Sequence, residues 1–243
     1  MDYSSVQDII RDLKTNPIES GGHVYHPIPF AEFQNLKTSS NIDEVYKKWG
    51  LIENYITEIT SNNWQNLKVL DIGANAGFYT FSMAKKGAKV TAFEPHPRYG
   101  PIGKFLTKEK KLNVQWYANP FEFKLIQHEH FTIALMLSVF QWMAAGGERM
   151  AEACINLKYI SSVCDYLFFE LGYNKGASSI NTRRLNRYAE LIRFLNKHTE
   201  YEYFKLIGTT RPWKSTRRYL VLCSNDRHYE DSFFLRYIRK INI

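Results

Sequence analysis

The rhythm of apolar and polar positions changes near Leu67. Beyond it, short apolar runs alternate with stretches in which apolar residues return every three or four positions. The runs predict strands over Lys68–Ile72, Lys89–Phe93, Val114–Tyr117, Phe131–Leu137 and Tyr166–Glu170. The spacing between them predicts helices over Phe78–Lys86, Pro101–Lys110 and Glu148–Ser161, with an ill-defined piece near Phe121–Gln127. A helix over about Thr182–His198 follows, then two further runs, Tyr203–Gly208 and Arg217–Cys223, paired as a hairpin that supplies an antiparallel edge strand. Strands alternating with helices in this way give an α/β fold, a mainly parallel seven-stranded sheet covered by helices on both faces.

Before Leu67 the pattern differs. A helix is expected around Tyr3–Lys14. The stretch Asn16–Leu36 holds Pro17, Pro27, Pro29 and the Gly21-Gly22 pair, and reads as irregular. A second helix starts near Asn41, with Ile42, Val45, Trp49, Ile52, Ile56 and Ile59 at helical spacing, Asn41 as its cap and Glu44 at the reciprocal capping position. The expected organisation is an N-terminal helical and irregular extension over 1–66, an α/β domain over 67–225 and a tail over 226–243.

The chemistry concentrates in Val69-Leu70-Asp71-Ile72-Gly73-Ala74-Asn75-Ala76-Gly77-Phe78, which reads as strand, glycine turn and helix. Glycine permits such a turn and lets backbone approach a ligand closely. The helix N-terminus behind it favours an anionic group. Asp71 can accept from a ligand ammonium or order the loop. Glu94 ends the next strand 21 residues after Gly73, where an acid can accept both hydroxyls of a ribose. An NAD enzyme is the competing reading. GxGxxG is absent, however, and an acid just before the glycines suits an amino-acid-bearing ligand better than a pyrophosphate. A P-loop is excluded because no GK[ST] follows.

The run VLDIGANAGFYTFSMAKKGAKVTAFEPHP resembles the cofactor-binding half of class I S-adenosylmethionine-dependent methyltransferases, and DIGANAGFYT with AFEPHP is most similar to their FkbM-like branch. The resemblance is strong over Leu67–Pro97 and ordered through Glu170; residues 1–60 and 225–243 lie outside it. It implies a Rossmann-like methyltransferase fold with S-adenosylmethionine as cofactor. It implies that Asp71, Gly73 and Gly77 surround the methionine part and that Glu94 binds the ribose, with Ala74, Asn75, Phe78 and Pro95 among the cofactor contacts and His96 at the edge of the pocket. Asn119 and Pro120 match the place where adenine is held, with Glu122 as the alternative to Asn119. The run Phe131–Trp142 resembles the fourth strand and its loop, which places Leu137, Ser138, Val139, Phe140, Gln141 and Trp142 around the methyl group.

Methyl transfer from a sulfonium is an in-line displacement with an activated donor, so proximity and orientation carry much of it. A general base is needed only where the acceptor holds its proton tightly. Glu170, at the carboxyl end of its strand, is a candidate catalytic residue along with Gln141, and the alternative for Glu170 is to cap the following loop or to pair with an arginine. Tyr25, His26, Trp49 and Trp142 are candidate acceptor contacts; Trp49 at helical spacing and the two loop residues read equally as packing and surface. His128 and His130 precede the fourth strand and read as surface.

Net charge is +8, which raises the chance of an anionic partner without choosing one. The most distinctive basic cluster runs from Thr209 to Arg218. In it Arg211, Trp213 and Lys214 could hold a phosphate or stack on a nucleotide, against the alternative of a solvated loop. Aromatic residues are 15% of the chain, enough for the core and for part of a pocket. Cys154, Cys164 and Cys223 have neither disulfide-framework nor zinc spacing, so no metal is expected and a cytoplasmic setting follows. The start lacks a signal-peptide pattern, and no apolar run approaches the roughly 18 residues of a membrane span.

These readings converge on methyl transfer to a small anionic acceptor: a sugar, a nucleotide-linked or a phosphorylated metabolite, methylated on oxygen, with surface polysaccharide biosynthesis as one setting. An RNA methyltransferase is the alternative, favoured by charge but lacking a separate RNA-binding module. A D/N-PP-Y/F signature for amine targets is absent after the fourth strand, where LSVFQW stands. A non-catalytic cofactor-binding module is the third reading.

Overall fold

The computed structural model describes residues 3–65, 67–172, 185, 187–211 and 217–231. Its seven strands form one sheet in the order β3-β2-β1-β4-β5-β7-β6. The chain folds as two compact units, Met1–Glu122 and Phe123–Ile243.

In the first unit, strands β1 (Lys68–Ile72), β2 (Lys89–Phe93) and β3 (Val114–Tyr117) run parallel. They are crossed by α3 (Phe78–Lys85) and α4 (Tyr99–Glu109). Ile72 pairs with Phe93, and Phe93 with Tyr117, so β1 and β2 end level with each other. That register puts the turn after β1 beside Glu94. Before the sheet come α1 (Val6–Thr15) and α2 (Ile42–Ile59). Ser5 caps α1 by accepting from Asp8 N at 3.1 Å, and Asn41 caps α2 by accepting from Asp43 N at 3.0 Å.

The irregular stretch between these helices packs inward rather than hanging free. Ile9, Leu13, Val24, Ile28 and Phe33 share one core with Phe81, Tyr99, Ile102 and Leu106. Phe81 stacks on Trp116 with centroids 5.7 Å apart. Each such side chain, fully buried, is worth roughly 1.5–3 kcal/mol. Polar ties reinforce the packing: Arg98 donates to Asp12 at 2.9 Å, and Tyr3 donates to the same carboxylate at 2.8 Å. Val24 also bridges to Thr38.

The second unit holds β4 (Phe131–Leu137) parallel to β5 (Cys164–Glu170), with α5 (Phe140–Met143) and α6 (Met150–Val163) between them. Helix α7 (Tyr188–His198) leads into β6 (Tyr203–Thr210) and β7 (Arg218–Ser224). The hairpin forms as expected, but the antiparallel strand is not the edge. β7 lies between β5 and β6, antiparallel to both, and β6 takes the border. The reason lies in burial: β7 is buried at almost every position, whereas β6 is buried at only three. Residues 173–184, including the first turns expected for the last helix, lie outside the described residues, as does the tail beyond Asp231.

Candidate functional site

The glycine turn of the first unit is built on positive φ. Gly73 (76°), Asn75 (54°) and Gly77 (86°) alternate with Ala74 and Ala76. Gly73 N and Ala74 N both donate to Phe93 O, at 2.8 and 3.0 Å, which locks the turn to the end of β2. Left-handed geometry is what glycine supplies at Gly73 and Gly77, and what asparagine tolerates best among the others. The room left by the missing Cβ of Gly77 faces the Phe81 ring, 2.2 Å from where that atom would stand. Gly77 therefore leaves room for the packing of its own helix.

Glu94 is almost enclosed, and both of its oxygens are engaged. Oε2 accepts from Asn75 N at 2.6 Å and Oε1 from His96 N at 2.7 Å. Burial pushes its pKa up, and the two N–H groups pull it back. Each oxygen keeps a second lone pair, the number needed for two vicinal hydroxyls. Asn75 Oδ1 is buried with no hydrogen-bond partner, an acceptor in want of a donor beside the same carboxylate. A ribose fits this donor and acceptor set.

Asp71 sits at the end of β1, 3% exposed, and Thr80 Oγ1 donates to its Oδ2 at 2.5 Å. Burial, with a smaller contribution from the charge of Glu94, pushes its pKa up to about 7. Of the two parts open to Asp71, ordering the strand-to-helix turn is the one on view. Ala74 and Phe78 are buried in the turn and the first turn of α3. Pro95 and His96 are exposed on the loop after β2. His96 Nδ1 accepts from Tyr99 N at 3.4 Å and Arg98 N at 3.3 Å, which caps α4; partial burial lowers its pKa. Asn119 turns back on its own loop, donating to Pro120 O at 2.9 Å. Tyr25, His26 and Trp49 are part-buried; His26 meets Tyr79 edge-on at 5.8 Å, and Trp49 lies 6.3 Å from the same ring.

In the second unit the carboxyl ends of β4 and β5 carry a separate cluster. Leu137 pairs with Glu170, so Ser138 emerges beside that carboxylate, with φ of 61° and its N–H on Glu170 O at 2.7 Å. Ser138 Oγ donates to Glu170 Oε1 at 2.5 Å, and Thr210 Oγ1 donates to Oε2 at 2.6 Å. Arg218 Nη1 donates to Ser138 Oγ at 2.9 Å and stands 3.8 Å from Glu170 Oε1. Glu170 is 0% exposed and Arg218 2%. Gln141, also buried, donates to Ser138 O at 2.6 Å and accepts from Gly172 N at 3.1 Å. A Cβ on Gly172 would stand 2.2 Å from the Gln141 amide nitrogen. The atoms of Glu170 and Gln141 thus face the chain itself.

Val139 is part-buried, and Trp142 is 61% exposed. Arg211 is exposed, whereas Trp213 and Lys214 lie outside the described residues. Arg218 departs from its basic cluster. It is the cross-strand partner of Thr210 on β7, and it turns inward to a buried carboxylate where the composition of the segment suggested a rim. Sequence reading allowed Glu170 an arginine partner but named neither Arg218 nor Thr210. Only the hairpin register, which no local signal records, brings them there. His130 pairs with Asp165 at 2.8 Å on the surface. Among the described residues no cluster of metal-ligating side chains occurs.

Solved structures share this arrangement. The bifunctional kinase-methyltransferase WbdD superposes with a TM-score of 0.68 at 20% identity, over 89% of this chain and 46% of that one. The N-terminal domain of EvdMO1 with SAH bound gives 0.60 at 12% identity, over 92% and 98%. Magnesium protoporphyrin IX methyltransferase from Synechocystis PCC 6803, with bound SAM, gives 0.53 at 15% identity, over 91% and 92%. The chain has a class I methyltransferase fold. It spans about half the length of WbdD. No family model and no curated protein sequence matches it. In this chain the glycine turn and Glu94 lie at the carboxyl ends of β1 and β2.

Proposed function

We propose that the chain transfers a methyl group from S-adenosylmethionine to a small, anionic acceptor. The observation that carries the reading is Glu94. Its buried carboxylate stands at the end of β2 and ties the left-handed glycine turn to the loop after β2 through two short backbone bonds. The unpartnered Asn75 Oδ1 beside it supports a hydroxyl-bearing ligand. Structures of this fold solved with SAH or SAM lend the same support.

The cofactor supplies an activated methyl group. The chain's part is to hold and orient. Glu94 accepts the ribose hydroxyls, the turn from Gly73 to Phe78 takes the methionine end, and Asn119 and Pro120 border adenine. Leu137, Ser138 and Val139 line the methyl end. Glu170 and Gln141 act as positioning residues for Ser138, because their polar atoms are committed to it and to its neighbours. Trp142 and Arg211 are exposed and suited to an acceptor with a ring face and a negative charge. A sugar or a nucleotide-linked or phosphorylated metabolite, methylated on oxygen, meets both conditions. EvdMO1 was also solved in the presence of D-fucose, which favours a sugar. In the first unit, Tyr25, His26 and Trp49 are further proposed acceptor contacts.

Calorimetric titration tests the reading. SAM and SAH should bind saturably and NAD should not, and Glu94→Ala should weaken SAH at least about tenfold while the protein stays folded, since a charged hydrogen bond is worth about 1.5–3 kcal/mol. Binding of NAD alone would overturn it. Incubation with methyl-labelled SAM and a panel of sugar phosphates, nucleotide sugars and RNA then separates the acceptors; label in RNA, with steep salt dependence, would replace the small-molecule reading.

A further inference from the structure

Glu94 is held in a chain of contacts. Its Oε2 takes Asn75 N at 2.6 Å, and its Oε1 takes His96 N at 2.7 Å. His96 Nδ1 takes Tyr99 N at 3.4 Å. The Tyr99 ring packs on the His96 ring, with centroids 4.8 Å apart, and carries its hydroxyl beyond. That hydroxyl is a node, not only a link. It donates to Glu19 Oε1 at 2.9 Å and accepts from Tyr25 N at 2.8 Å. Tyr99 is itself among the largest fully buried side chains.

We infer that Tyr99 is a positioning residue for the cofactor acid, and that through it the N-terminal residues Glu19 and Tyr25 are fastened to the glycine turn. The inference rests on the cofactor reading above. It adds three residues that neither the motif nor the resemblance assigns. Physically, the hydroxyl fixes the Tyr99 ring, that ring and the Tyr99 N–H fix His96, and His96 presents the N–H that orients Glu94. Removing the hydroxyl takes one partner from the part-buried Glu19 carboxylate and one from the Tyr25 N–H, so the chain of contacts loses its anchor. Glu19 and the Tyr25 N–H depend on the same oxygen, so the segment 19–25 and the cofactor turn are ordered together. Linkage then makes the effect mutual: ligand at Glu94 must tighten the segment.

The test uses the full chain, with SAH as probe, read by calorimetry and by amide exchange over residues 18–26. In the unaltered protein SAH should bind and slow exchange in that stretch. Tyr99→Phe keeps the ring in the core and removes only the node. SAH affinity should fall about tenfold, the worth of one to two buried hydrogen bonds, and the SAH-dependent slowing over 18–26 should vanish. Ile102→Val thins the same core without touching a polar atom and should leave both readings near normal. Equal SAH affinity in Tyr99→Phe overturns the inference, and so does an equal loss in Ile102→Val, which would reduce Tyr99 to packing. Should Tyr99→Phe fail to fold, Glu19→Ala removes the acceptor alone. It should lower SAH affinity about threefold and abolish the slowing; an unchanged slowing would overturn the inference. Failure of the unaltered protein to bind SAH would instead bring down the cofactor reading itself. Binding without any slowing over 18–26 would sink only the coupling.

Discussion

Asp71 carries its carboxyl group where charge is disfavoured. Burial holds its pKa up to about 7, against an ordinary value of 3.8. Between those values the unfolded chain releases the proton while the folded chain keeps it. The contribution of Asp71 to stability is therefore full below about pH 4, falls as pH rises, and levels off above about 7, by at most about 1.4 kcal/mol per pH unit. Asp71→Asn should flatten that slope; urea denaturation at pH 5 and pH 8 reads it, and an unchanged difference between the two would mean Asp71 ionises normally. At this scale the sequence was legible where a residue acts on its immediate chain. Gly73, Asn75 and Glu94 stand where the spacing put them, because turn geometry and strand length are local. Tyr99 was not legible. An aromatic at the start of a helix looks like any core residue until Glu19 and Tyr25, distant in sequence, are seen on its hydroxyl.

Elements were read well at their centres and less well at their ends and neighbours. All five early strands appear, and β5 merely begins two residues sooner, at Cys164. Period-two and helical patterns register burial, and burial is decided along the element. Strand order is decided between elements, so the place of β7 inside β6 could not be read from either run. That place has an energetic signature. Arg218 reaches the end of β5 because the hairpin register brings it there, and it neutralises Glu170 in an enclosed site. Arg218→Met should cost about 3–5 kcal/mol, since it leaves a buried carboxylate without its cation. Adding Glu170→Gln should return part of that loss. Urea unfolding of the two single variants and the double variant gives the coupling, and strict additivity would show that the pair does not interact.

Across the whole molecule, burial divides the three thiols. Cys164 and Cys223 are buried and their pKa values pushed well up by burial; Cys154 is partly exposed, with a smaller upward shift of the same cause. The native protein should therefore take up one equivalent of iodoacetamide, slowly, and the denatured protein three, as mass spectrometry would count. Fast uptake of three by the native protein would mean that the central strands open readily. The large-scale plan was the most legible part of the sequence, because alternating strands and helices admit few topologies. The least legible was the company kept by residues 3–40, whose apolar positions carry no period that names a partner. Their docking on Phe81, Tyr99, Ile102 and Leu106 has a consequence for biosynthesis. On the ribosome, Leu13 is made 93 residues before Leu106. At about 5–20 residues per second, the opening segment waits roughly 5–19 s for the surface that will cover it. Until Leu106 is made, Ile9 and Leu13 lack part of the core that covers them, and they offer a chaperone a foothold.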